Sequence, residues 1–353
     1  MALGEGWTEP LPDGMITLNI GIIGVGLQGK RRASVFPTAS GSKLLAAACG
    51  HPHHEDTVLR FSKSFGCDHH FKWKDLVSRE DIDAVIVCTP PHLHAEMAMK
   101  AIDNGKHVLC EKPLARTVEE AEKMVRQAKD AGVVLKCGFN HRHHPGILQL
   151  RRWVDSGEIG EIDFARCVYG ICGRPGYESE WRANQSYVGG GQLMEQGIHA
   201  IDLFRWFLGD LREVNAFTST RYWKIHPLED NAFVIFATED GKLAGLHSSL
   251  TQWKNKFQFE LSGHDGYATV EGLGGSYGTE RASLARREFG KPFSEQILEY
   301  RGTDESWRNE WEEFEASVTN RRPPIGSGTD GLEAMKLVYA AYTSAEKKVT
   351  VKV

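Results

Sequence analysis

Glu195, His199 and Asp202 fall at i, i+4 and i+7 of GQLMEQGIHAIDLFRWFLGD, a stretch read as one helix over roughly 192–208. Helical spacing puts a carboxylate, an imidazole and a second carboxylate on one face. Such a set can hold hydroxyl groups and move protons, because imidazole titrates near neutral pH. A lone helical histidine is more often structural, so the face alone does not establish chemistry. The triple glycine at 189–191 lets backbone approach a ligand closely. Lys112 follows the apolar run HVLC, at the edge where open α/β sheets bind ligands. There an ammonium can donate to a substrate hydroxyl and stabilise charge developing on its oxygen. Desolvation can bring its pKa toward that of a proton carrier. The plain alternative is a surface lysine. Glu111 beside it orients the lysine, contacts a cofactor or makes a structural ion pair, and Pro113 fixes the backbone after it.

Gly24-Val25-Gly26-Leu27-Gln28-Gly29 is G-x-G-x-x-G directly after a strand-like run. The first glycine permits a tight turn, the second lets backbone approach a pyrophosphate, and the third lets helix and strand pack closely. Together they predict dinucleotide binding. The second strand ends in Gly50-His51-Pro52-His53-His54. It has no acid for the two ribose hydroxyls of NAD and no Arg or Lys for the 2′-phosphate of NADP. His51 can hydrogen-bond either, and the reading leans slightly to NAD.

The elements that must position these residues are legible as periodicities. LNIGII (18–23), KLLAAAC (43–49), AVIVC (84–88), HVLC (107–110) and VVLKCG (133–138) are apolar without alternation, as in strands buried on both faces of a parallel sheet. Helical patterns lie between them. The clearest starts at the Thr117/Glu120 capping box, carries Ala121, Met124, Val125 and Ala128 on one stripe, and stops at Gly132. Repeated β-α units imply a doubly wound domain over 18–140, preceded by an arm over 1–17. Asn140 and Arg142 follow its last strand, facing the cleft or tying two domains together. From 141 to 353 the character changes. A helix is expected over Ile147–Asp155 and a strand over Ile162–Tyr169. Consecutive strands VNAFTSTRYW, NAFVIFAT, KLAGLHSSL, FQFELSG and YATVEG follow, with hairpin turns at Asp240-Gly241 and Asp265-Gly266. Helices over 305–319 and 329–346 close the chain. This is an α/β protein whose second domain carries an open, mostly antiparallel sheet. Trp181 and Arg182 precede the glycine turn; the indole can stack on a sugar ring or be a core Trp.

Composition narrows the classes. At 353 residues the chain exceeds one core's usual size, and 41% hydrophobic with 25% charged residues is ordinary for globular domains. No apolar run is long enough for a membrane helix. A net charge of −5 without a long basic run argues against nucleic acid. The N-terminal stretch lacks the pattern of a signal peptide. The seven scattered cysteines read as reduced thiols of a cytoplasmic protein. Fifteen histidines raise the question of metal, but no HExxH or cysteine-finger spacing occurs, so none is expected.

HVLCEKPLA (107–115), GVGLQG, DAVIVCTPPHLHAEMAMKAIDNGK, GFNHRHHP (138–145), the 189–210 stretch and DGLEAMKLVYAAYTSA together closely resemble the Gfo/Idh/MocA oxidoreductases. The likeness extends over nearly the whole chain from about residue 18. It implies a Rossmann domain, a C-terminal α/β domain, and a substrate held between them beside a nicotinamide. It assigns Lys112 and His199 to catalysis, and sets the backbone of Thr89 and Pro90, with His94, near the cofactor; His94 equally caps the following helix. Glu195 stands where the family commonly has Asp, and still has a carboxylate for a substrate hydroxyl. Asp202 orients His199 or binds across the domain interface. The implied activity is NAD(P)-dependent oxidation of a secondary hydroxyl of a sugar, a sugar derivative such as a nucleotide sugar, or a cyclitol. The alternatives are a redox-neutral enzyme with tightly bound NAD and a non-catalytic dinucleotide- or sugar-binding regulator. A homodimer or homotetramer through the C-terminal sheet is expected.

Overall fold

Five of the apolar runs form the strands of a parallel sheet, and one short polar strand joins its edge. The computed structural model describes residues 17–36, 41–50, 55–290 and 294–353. The expected arm over 1–17 lies, except for Thr17, outside them. In chain order the first unit contains β1 (Asn19–Ile23), α1 (Leu27–Ala33), β2 (Lys43–Ala48), α2 (Glu55–Phe65), β3 (Asp68–His70), α3 (Trp73–Val77), β4 (Ala84–Val87), α4 (His94–Asp103), β5 (His107–Cys110), α5 (Val118–Ala131) and β6 (Leu135–Cys137). The strand order is β3-β2-β1-β4-β5-β6, all parallel. The order reverses between β1 and β4, where a crevice opens at the carboxyl ends. Every residue of β4 is buried, as expected for a strand covered on both faces. The Thr117 hydroxyl accepts from Glu120 N–H and the Glu120 carboxylate accepts from Thr117 N–H, so the capping box forms as read.

The second unit adds α6 (Pro145–Asp155), β7 (Ile162–Cys172), α7 (Ile198–Leu208), β8 (Leu211–Ser219), β9 (Asn231–Thr238), β10 (Leu243–Ser249), β11 (Thr251–Gly263), β12 (Gly266–Glu271), β13 (Glu280–Arg286), β14 (Gln296–Tyr300), α8 (Ser306–Thr319), α9 (Gly328–Lys347) and β15 (Val351–Lys352). Its sheet runs β14-β13-β12-β11-β7-β10-β9-β8-β15. Only the β7·β10 pair is parallel. Both hairpins form; the first turns at Asp240-Gly241 as expected, and the second turns one residue early, at His264-Asp265, with Gly266 already paired to Gly263.

Two expectations need correction. The strand read through Trp223 stops at Ser219, because the Asp230 carboxylate accepts from the N–H groups of Arg221, Tyr222 and Trp223 at 2.8–3.1 Å and curls the chain into a loop. The helix read as continuous over 192–208 begins with a π-helical turn, Leu193–Gly197, before α7. The buried Glu229 carboxylate accepts from Gly191 N–H at 3.1 Å and Leu193 N–H at 2.7 Å, and Tyr342 donates to it at 3.0 Å. It thereby satisfies donors that a helix start leaves open. The wider turn changes the angular spacing on which the i, i+4, i+7 face rested.

The chain also crosses back. Trp311 and Phe314 of α8 share an apolar cluster with Ile20, Ile22, Ala47, Ile86 and Leu109 of the first sheet. Burying the Phe314 side chain alone contributes roughly 1.5–3 kcal/mol. Buried Arg32–Glu310 and Lys136–Glu313 pairs, the latter at 2.9 Å, join the same helix to the first unit. Helix α9 packs on α5, α7 and β8.

Candidate active site

One cavity of about 1140 Å³ runs from the Gly24–Gln28 turn at the β1/β4 crevice to the inner face of the second sheet. The turn meets the steric demands of its motif. Gly24 has φ +99°, and a Cβ there would lie 2.7 Å from the Cys88 carbonyl. A Cβ on Gly29 would lie 2.1 Å from the Gly24 oxygen, so helix α1 packs at a distance only glycine allows. A Cβ on Gly26 meets nothing within 4 Å; its open side faces the cavity, as a backbone that admits a pyrophosphate requires. Leu27, Gln28, Thr89 and Pro90 line the same end. His51 lies outside the described residues.

At the other end, segments distant in sequence meet. Lys112 precedes a cis Lys112–Pro113 bond, and its Nζ donates to the Glu195 carbonyl oxygen. Nζ also lies 3.8 Å from Glu195 Oε1, and Arg182 Nε donates to that oxygen at 3.3 Å. Burial pushes the Glu195 carboxyl up, but Lys112 and Arg182 outweigh it and hold the group below its ordinary value. His199 lines the cavity, yet is only 3% exposed, and its Nδ1 has no hydrogen-bond partner. Burial, then His141 and Lys112, push its pKa well below 6.5. The ring is therefore neutral at pH 7 and able to accept a proton. Trp181 lies under the Arg182 guanidinium, 4.3 Å from ring centroid to Cζ, and both border the cavity. Asn140 borders it too, donating to Ser306 Oγ at 2.9 Å.

The structure does not bring every expected residue to the cavity wall. Arg142 and Asp202 form a buried two-point pair at 2.6 and 2.8 Å, and Arg142 also reaches Asp330 at 3.2 Å. These contacts occupy both groups and tie α7 and α9 to the segment after β6, so neither is a ligand contact. Burial, against the pull of Arg142, raises the Asp202 carboxyl to about 6. His94 is buried with Nε2 2.6 Å from Thr89 O and Nδ1 2.9 Å from Pro113 O. It pins the two cavity loops together rather than touching a ligand. Glu111 borders the cavity but its carboxylate accepts from Arg32 Nε at 2.9 Å, so of its three readings the ion pair is realised.

Sequence reasoning missed several lining residues: His141, His144, Tyr169, Tyr177, Asn255 and Tyr277. The HRHH run, part of the GFNHRHHP segment that carries the family resemblance, is the one available signal for His141 and His144. Among the described residues no group of three or more His, Cys, Asp or Glu is placed to hold a metal ion. Nor is any helix among them long and apolar enough to cross a membrane.

Comparison with known proteins agrees with this arrangement. Residues 18–139 match the model of the Gfo/Idh/MocA oxidoreductase family with its NAD-binding Rossmann fold, and residues 147–269 match the family's C-terminal domain. Levoglucosan dehydrogenase of Pseudarthrobacter phenanthrenivorans is 33% identical over 58% of this chain and 55% of that protein, so the match spans little more than half of that relative. Inositol 2-dehydrogenase of Rhizobium meliloti is 27% identical over 94% of this chain and 98% of its own length. A solved levoglucosan dehydrogenase in complex with NADH and L-sorbose shares the fold at a TM-score of 0.88, with 24% identity, covering 96% of this chain and 99% of that one. A glycine turn shaped for a pyrophosphate, a lysine and a histidine at one cavity end, and two matched family domains lead to one assignment: the chain belongs to the Gfo/Idh/MocA oxidoreductases, with an NAD-binding Rossmann domain.

Proposed function

We propose that the protein is an NAD(P)-dependent dehydrogenase that oxidises a secondary hydroxyl of a sugar, a sugar derivative or a cyclitol. The observation that carries this reading is the single cavity that joins the open backbone at Gly26 to Lys112, Glu195 and His199. A nicotinamide, when bound, would supply the hydride acceptor for the carbinol carbon. Gly24, Gly26, Leu27 and Gln28 would hold the phosphates of such a dinucleotide, with Thr89 and Pro90 beside them. Lys112 donates to the reacting oxygen and stabilises its charge as the C–H bond breaks. Neutral His199 accepts the hydroxyl proton. Glu195, kept ionised by Lys112 and Arg182, accepts from a neighbouring hydroxyl, and Trp181 offers a ring face to the sugar.

The test is near-ultraviolet absorbance of reduced nicotinamide during incubation with NAD or NADP and a panel of free sugars, cyclitols, glycosides and nucleotide sugars. Reduction with one compound and one cofactor is expected. Cofactor binding without reduction across the panel would overturn the reading in favour of redox-neutral catalysis or a binding role.

The same reading includes a cytoplasmic homodimer or homotetramer. Its support is an outward apolar stripe on the second sheet. Phe217 pairs across strands with Phe233, and Ile235 and Leu243 continue the stripe, each more than half exposed. A monomeric mass by light scattering would remove it.

A further inference from the structure

His141 is used by no step above, yet it is the residue most closely applied to His199. The two rings stack at 3.8 Å with 19° between planes. His141 is itself held by a hydrogen-bond chain that runs in one direction. The Tyr169 hydroxyl lies 2.9 Å from His141 Nε2, with the Tyr277 ring edge-on to Tyr169 at 5.4 Å. His141 Nδ1 lies 3.2 Å from Asn140 Oδ1. Asn140 Nδ2 donates to Ser306 Oγ at 2.9 Å, and Ser306 Oγ donates to Asp304 Oδ1 at 2.6 Å. Because the chain ends on a carboxylate, which only accepts, each donor upstream is fixed. Ser306 must donate to Asp304, Asn140 must present its amide to Ser306 and its oxygen to His141, and His141 must carry its proton on Nδ1. Burial holds the ring neutral, so its Nε2 is then the acceptor for Tyr169.

We propose that His141 is a positioning residue: its neutral ring, oriented by the Tyr169–Asp304 chain, holds the His199 ring by stacking and shields its inner edge from water. The stack substitutes for the orienting carboxylate that a catalytic histidine usually has, because His199 Nδ1 has no partner at all. Other groups also face His199: Lys112 beyond β5, Glu195 on the preceding π-helical turn, His144 from the segment after β6, Tyr169 of β7 and, farther off, Arg32 of α1. None of them covers its ring face at stacking distance.

This inference rests on the dehydrogenase reading for its kinetic test and is independent of it for its spectroscopic one. Three variants separate ring from hydrogen bonds. His141→Ala and His141→Gln remove the ring; Gln keeps polar contacts to Tyr169 and Asn140. His141→Phe keeps the ring and loses the polar contacts. On the substrate found above, Ala and Gln should lower kcat about 10- to 100-fold with little change in KM. They should also move the acid limb of kcat/KM upward toward pH 6.5, as water reaches His199. Phe should move the limb less than Ala or Gln, since it keeps the covering ring and loses only the influence of the second imidazole, and should recover most of kcat. Equal losses in all three variants with an unmoved limb, or rescue by Gln and not by Phe, would overturn the proposal. Imidazole titration of His199 by NMR in the cofactor-loaded protein reads the same shift without turnover. An identical titration in wild type and His141→Gln would overturn it even if the substrate class is wrong.

Discussion

The two ends of the cavity are made of different material. The cofactor end is backbone: one contiguous turn, three glycines and the mouths of β1 and β4. The substrate end is side chain. Lys112, Asn140, His141, Tyr169, Arg182, Glu195, His199 and Tyr277 come from segments that meet only after both sheets have formed. A backbone site depends on what is absent, namely Cβ atoms. A side-chain site depends on what each group is paired with, and its chemistry is set by burial and neighbouring charge. The first should tolerate changes of pH and fail on added bulk; the second should do the reverse.

The largest expected effect concerns acid. His141, His143 and His199 are all held well below 6.5, by burial first and nearby cations or histidines second. The unfolded chain takes up protons near pH 6.5 that the native state refuses, so stability falls as pH drops below that value. Three such groups give a slope of about 4 kcal/mol per pH unit until their folded pKa values are reached. Chemical denaturation at pH 7 and pH 5.5 checks this, and equal stabilities would contradict it. Next in size, Lys112→Ala should lower kcat about 100- to 1000-fold while cofactor affinity stays within a few-fold. Loss of both would mean that the two ends are not separable. Gly26→Ala should invert that result. Its Cβ meets no protein atom, so the melting temperature holds, but cofactor affinity by fluorescence titration should fall by roughly tenfold. Smallest, Glu229→Gln should keep the fold and lower kcat only several-fold. It weakens about one charge-assisted hydrogen bond of the cap on the π-helical turn. An unchanged kcat would show that Glu195 and His199 do not depend on that cap.

The same contrast explains what was legible in the sequence. The turn at 24–29 and the capping box at Thr117 are local, and local rules found them. Lys112, Glu195 and His199 could be placed at strand and helix ends because β-α periodicity is also local. The face shared with Asp202 could not be judged, because the π-helical turn is imposed by Glu229, far along the chain. The Arg142–Asp202 pair realises the domain-tying alternative open for each residue, but no local rule could name the two as partners. His141 stood in plain view within HRHH, but its meaning comes from Tyr169 on one side and Ser306 on the other. The edge strand β14, with one apolar residue exposed and the rest mostly polar, has too weak an alternation to be read.

The return of α8 onto the first sheet has a consequence for biosynthesis. Ile20, Ile22, Ile86 and Leu109 are covered on that side by Trp311 and Phe314, near the far end of the chain. While the ribosome is still making the second sheet, the nascent first domain presents an open apolar face, a Lys136 without its Glu313 partner and an Arg32 paired with Glu111 alone. It cannot finish its core as an early, separate unit, although domains generally fold in order of synthesis. The nucleotide-binding fold here is made before α8 and completed only with it. A fragment cut after residue 140 should aggregate or recruit chaperones, and supplying α8 within the same chain should be what rescues it.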